Sequence, residues 1–142
     1  MKNLWPQKFE ENSRISAKAF LEEQAKLLPT LTDGMVYADV YQSRDPGRLA
    51  MRNDFMFHFD IRGRFLEDYR FHLLEFSHDI TLYPVKFQID DQIAKELKLA
   101  NEFGDSEIKV VETPEELEAF VSAVLRSKRL GNVIGSIIRL SH

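Results

Sequence analysis

The chain has 142 residues, 44% of them hydrophobic and 30% charged, which places it among single globular domains and outside the disordered and fibrous classes. Its 19 basic and 23 acidic residues leave a net charge of -4, so bulk charge gives no nucleic-acid footprint. There is no cysteine, which excludes disulfides, thiolate metal sites and cysteine nucleophiles together.

The first residues, MKNLWPQKFEEN, form a short arm in which Trp5 and Phe9 are expected to tuck against the first helix. The arm lacks the apolar run of a signal peptide, and no stretch approaches the ~20 apolar residues of a membrane span. The expectation is a soluble cytoplasmic protein. Residues 13–29 read as a helix, with Ala17, Leu21, Ala25 and Leu28 on one stripe. Met35 to Gln42 reads as a strand with Val36, Ala38 and Val40 on one face and Tyr37, Asp39 and Tyr41 on the other. A loop with a Pro-Gly turn signal follows, carrying Arg44, Arg48 and Arg52 nearby as a basic patch.

The stretch from Phe55 to His78 is the densest aromatic run, and eleven phenylalanines in the whole chain favour a sheet-centred core. Phe55, Phe57, Phe59 and Ile61 alternate with Met56, His58 and Asp60, the period of a strand with one buried face. Residues 69–78 alternate similarly, and residues 62–68 contain the glycine of a hairpin connection. Placing Phe59 opposite Phe71 sets Ile61 against Tyr69, Phe57 against Leu73, His58 against His72, Asp60 against Arg70 and Met56 against Leu74. In this register Glu75 shares the apolar face, while Met56, His58, Asp60, His72, Leu74, Phe76 and His78 share the mixed one.

Residues 80–89 read as a further strand, with Pro84 at its start, an edge or a bulge. Asp90 caps a helix over 91–100. Residues 107–111 form a short strand. Thr113, Pro114 and Glu116 then make a strong helix start, followed by Leu117, Phe120, Val121 and Val124 at helical spacing. The tail, with Val133, Ile134, Ile137 and Ile138, reads as a last short helix. Residues 1–142 thus form a single α+β domain in the order α-β-β-β-β-α-β-α-α. Its mainly antiparallel sheet has four to five strands, with helices packed mostly on one face.

Four groups carry candidate chemistry. His58, His72, Asp39 and Asp60 could share one face and offer nitrogen and oxygen ligands to zinc or another divalent ion; the plain alternative is a cross-strand histidine pair with Asp60 bound to Arg70. Glu107-Ile108-Lys109, preceded by Asp105, has the spacing of an E-x-K strand. With the initial helix followed by strands, it resembles the PD-(D/E)XK nucleases. That resemblance implies a divalent-metal-dependent nuclease or phosphodiesterase using Glu107, Lys109 and Asp105, in which an Asp from a neighbouring strand joins Glu107 to hold the cation and Lys109 lies near the attacked phosphate. His78 and Asp79 are adjacent, but neighbours on a strand point to opposite faces. The Arg44, Arg48 and Arg52 patch could hold an anion. No dinucleotide, phosphate-loop or H-E-x-x-H motif is present, and no cofactor is expected.

The leading expectation is a small interaction module acting through Tyr37, Tyr41, Met56, His58, His72, Leu74 and Phe76. Aromatic and methionine side chains with little lysine are typical of interface cores. If helices cover only the phenylalanine face, the other must meet something: a second copy of the chain, giving a homodimer, or another protein. The small, acidic, motif-free profile is that of accessory, immunity- or antitoxin-like proteins, an analogy of profile alone. Stacking of single-stranded nucleic acid on the same face is disfavoured by the acidic net charge.

Overall fold

A computed structural model describes residues 1–43, 54–99 and 108–142. The elements follow the expected order: α1 (Ala17–Leu31), β1 (Val36–Gln42), β2 (Phe55–Gly63), β3 (Leu66–His78), β4 (Val85–Ile89), α2 (Asp91–Glu96), β5 (Lys109–Val111), α3 (Pro114–Leu125) and α4 (Lys128–Leu140). The five strands lie side by side in sequence order, every neighbour antiparallel. No helix among the described residues is long and apolar enough to cross a membrane.

Each long helix starts where a side-chain oxygen can take an otherwise unpaired backbone N–H. Ser16 accepts from Ala19 N at 3.1 Å, and α1 starts at Ala17 instead of residue 13. Thr113 accepts from Glu116 N at 3.1 Å, and the Glu116 carboxylate reaches back to Glu112 N at 2.8 Å. Ser127 caps α4. Glu96, at the end of α2, takes two more of its free amides, Lys128 N at 2.7 Å and Arg129 N at 3.0 Å. The short α2 and the longer α4 are thereby joined at a corner. The N-terminal arm does not tuck against α1: Trp5 and Phe9 are about three-quarters exposed, with ring centroids 6.2 Å apart.

The sheet and the helices meet in one apolar layer. Phe57, Phe59, Ile61, Phe71, Leu73, Leu74, Phe76 and Phe87 from the strands join Leu21 of α1, Ile93 of α2, Leu117, Phe120 and Val124 of α3, and Leu130, Val133 and Ile137 of α4. Fully burying one such side chain contributes about 1.5–3 kcal/mol. Gly63, at the tip of β2, lies directly beneath α4. A Cβ there would stand 2.7 Å from Ile137 Cγ2, so the helix can approach only a glycine.

The central hairpin departs from the register expected of an unbroken alternation. Phe57 faces Phe76, His58 faces Glu75 and Phe59 faces Leu74, but beyond them Asp60 faces His72 and Ile61 faces Phe71. Leu73 is the extra residue of a β-bulge, and Leu73 and Leu74 are both fully buried. A bulge shifts the phase of every residue beyond it. Leu74 and Phe76, expected on the mixed face, therefore lie in the core at 0% exposure, and Glu75, expected on the apolar face, turns to the opposite side. The turn is also tighter than expected, with Gly63 paired to Leu66 across Arg64 and Phe65.

Candidate functional site

The sheet face away from the helix layer is built by alternate residues of three strands. β1 supplies Tyr37, Asp39 and Tyr41; β2 supplies Met56, His58, Asp60 and Arg62; β3 supplies Arg70, His72 and Glu75. Met56, opposite Ser77, is buried at 4% exposure and adds little to the accessible face.

Asp60 is the centre of this face. Its side chain is fully buried, a costly place for a carboxylate unless it is richly bonded. Three donors converge on it. Tyr41 Oη donates at 2.7 Å, His72 Nδ1 lies at 2.6 Å, and Arg70 Nη1 lies at 3.3 Å. An ionised carboxylate only accepts, so His72 carries its proton on Nδ1 and turns Nε2 outward. Burial works to raise the Asp60 pKa, but the hydrogen bonds from His72 and Tyr41, with the charges of His72 and Arg70, outweigh it and hold it below the usual carboxylate range. The hydrogen bond to Asp60 lifts the His72 pKa against opposing desolvation. Burial, then the bond and charge of Asp60, raise that of Tyr41.

A second group sits beside this one. The His58 ring stacks on Tyr41, with centroids 5.1 Å apart, and lies 5.1 Å from the His72 ring. Glu75 Oε2 stands 3.5 Å from His58 Nδ1 and 3.9 Å from His72 Nε2. One carboxylate oxygen therefore faces two imidazoles. His58 Nδ1 is buried and makes no hydrogen bond. Arg70 lies over the Tyr41 ring, its guanidinium 5.6 Å from the centroid. Arg62 lies over Tyr37, with Nη1 3.5 Å from Asp39 and Nη2 donating to the Glu67 carbonyl.

The structure brings together Tyr41, His58, Asp60 and His72 among the residues singled out in the sequence, but not in the expected pairing. In the strand register His58 faces Glu75, not His72, and Asp60 faces His72, not Arg70, although the expected Asp60–Arg70 ion pair does form at 3.3 Å. Asp39 is drawn to Arg62 and stands apart from the histidines. Leu74 and Phe76 leave the face altogether. Glu75 is the member the sequence reading misplaced; the adjacent leucines at 73 and 74, each needing burial, are the signal that the alternation changes phase between them. His78 lies on the helix side, its ring centroid 6.0 Å from Phe57, and its Nδ1 pairs with the Asp79 carbonyl at 2.7 Å. The Asp79 carboxylate instead holds Thr81, so the two side chains form no dyad.

Lys109 opens β5 as an exposed residue paired with Phe87 at the sheet edge. Its E-x-K companions, Glu107 and Asp105, lie outside the described residues, as do Arg44, Arg48 and Arg52. Comparison of the chain with family models, curated proteins and solved structures finds no match.

Proposed function

We propose that the protein is a small binding module that pairs with a second copy of itself through the sheet face carrying Tyr37, Tyr41, His58, Arg62, Arg70 and His72. The observation that supports this reading is the unequal covering of the sheet. The buried residues of all four helices join the cluster on the phenylalanine side. The other side presents half-buried to exposed aromatic, histidine and arginine side chains. Tyrosine and arginine are enriched in interface cores, and lysine is depleted.

Charge on this face is mixed. Arg62 and Arg70 stand among Asp39, Asp60 and Glu75. A surface with both signs can meet its own copy about a twofold axis, where each contact is made twice. The bonds to Asp60 also hold Tyr41, Arg70 and His72 in place before any contact, which lowers the ordering cost of association.

Light scattering or sedimentation tests the reading. The expected mass is that of two chains, moving toward one on dilution and in Arg70→Ala, which removes a half-exposed side chain and leaves the apolar layer intact. A single-chain mass at every accessible concentration overturns it.

A further inference from the structure

We infer that His58, His72 and Glu75 form a binding site for one divalent transition-metal ion of the zinc class, with a fourth coordination position for water or a group from a bound molecule. One donor atom from each residue lies within 4.8 Å of the other two. Two imidazoles and a carboxylate are the donor set of open, three-ligand zinc sites. Tetrahedral ligation asks for donor separations of about 3.3 Å. Glu75 Oε2 already stands 3.5 Å from His58 Nδ1 and 3.9 Å from His72 Nε2, so side-chain adjustments of tenths of an ångström bring it into range of both.

Two independent features favour an ion over a simple cross-strand pair. The first is His58 Nδ1, a buried ring nitrogen with no hydrogen bond. A buried ring nitrogen without a hydrogen bond costs free energy, and a metal bond would satisfy it. The second is Asp60. Metal-bound histidines almost always give their other ring N–H to a carboxylate, carbonyl or water, which fixes the tautomer and the ring orientation. Asp60 accepts the Nδ1–H of His72 in this way at 2.6 Å, which leaves Nε2 to face Glu75. Tyr41 and Arg70 hold the same carboxylate from its other oxygen, so the positioning group is itself positioned.

The site belongs to β2 and β3 of one chain, and its existence does not depend on a partner. The His72 side chain is 48% exposed, so an ion and a fourth ligand, water or a group from a bound molecule, can reach it.

Titration of metal-free protein with Co²⁺, followed by visible absorption, and with Zn²⁺, followed by calorimetry, tests the inference. The expected result is one ion per chain, with Zn²⁺ displacing Co²⁺. His58→Ala and Glu75→Gln should weaken binding about tenfold or more, and Asp60→Asn, which alters a positioning residue, by about ten- to hundredfold. His142→Ala should leave it unchanged. A second measurement covers variants that fail to fold. In wild-type protein, Zn²⁺ should shift the imidazole NMR signals of His58 and His72. Absence of saturable binding, equal binding in folded His58→Ala and Glu75→Gln, or shifts confined to His78 or His142 overturns the site.

Discussion

The two faces of the central hairpin share one backbone and follow different chemistry. On the helix side, Phe57, Phe76 and Phe87 stack in a row, with ring centroids 5.2 Å apart for Phe57 and Phe76 and 5.7 Å apart for Phe76 and Phe87. Their contribution is apolar area removed from water, which is non-directional and tolerant of small shifts. On the other side, Tyr41, Asp60, Arg70 and His72 contribute through hydrogen bonds whose geometry is narrow. Such bonds add only about 0.5–1.5 kcal/mol net, yet leaving their buried acceptor unpaired costs more. The comparison teaches that stability resides on one face and placement of reactive groups on the other. The open face can therefore change its chemistry at little cost to the fold only where the partners of Asp60 are kept.

Substitution on each face sharpens that division. Phe76→Ala should be the most damaging change, because it empties a fully buried site in the middle of the stack. A loss of about 3–5 kcal/mol in the unfolding free energy is expected from urea denaturation. A loss under about 1 kcal/mol would mean that Phe76 does not lie in the core. On the other face, Tyr41→Phe removes one of three donors to Asp60 while keeping the ring that stacks on His58. The expected cost is about 0.5–1.5 kcal/mol in the same measurement. A cost as large as that of Phe76→Ala would erase the contrast between the faces.

The smallest effect lies on the helix side and depends on pH. The backbone hydrogen bonds from Lys128 and Arg129 lower the Glu96 pKa from its ordinary 4.5. A group with a depressed folded pKa adds stability above its unfolded value and loses it as the pH falls through the folded one. Glu96→Gln should therefore cost stability at neutral pH, and its difference from wild type should shrink below the ordinary carboxylate pKa. Thermal unfolding across that range reads the effect. A constant difference at all pH values would show that the carboxylate charge has no part in capping α4.

Much of this architecture is legible in the sequence for local reasons. Thr113-Pro114-Glu115-Glu116 starts a helix because a hydroxyl, a fixed φ and acidic side chains all suit a helix N-terminus. The alternation of Phe55 to Ile61 gives a strand because period two places every phenylalanine on one side. The candidate site is legible only in part. Tyr41, His58, Asp60 and His72 fall on one face by simple counting along β1, β2 and the first half of β3. Glu75 does not, because its side depends on whether Leu73 is counted as a pleat or as a bulge. The arm with Trp5 and Phe9 misleads in another way, since two aromatics suggest burial but nothing in the sequence supplies a surface for them.

The sequence by itself determined the elements, their order and the chemical split between an apolar and a mixed face, because caps, turns and periodicity act over a few residues. The tertiary structure decided the register. Leu73 and Leu74 both reach the core only if β3 bulges at Leu73, opposite the Phe59–Asp60 step of β2, and whether that gain outweighs the disrupted ladder depends on the helices packed against both leucines. The same slip carries Phe76 inward and turns Glu75 toward His58 and His72, so the site's composition follows from a packing choice on the opposite face.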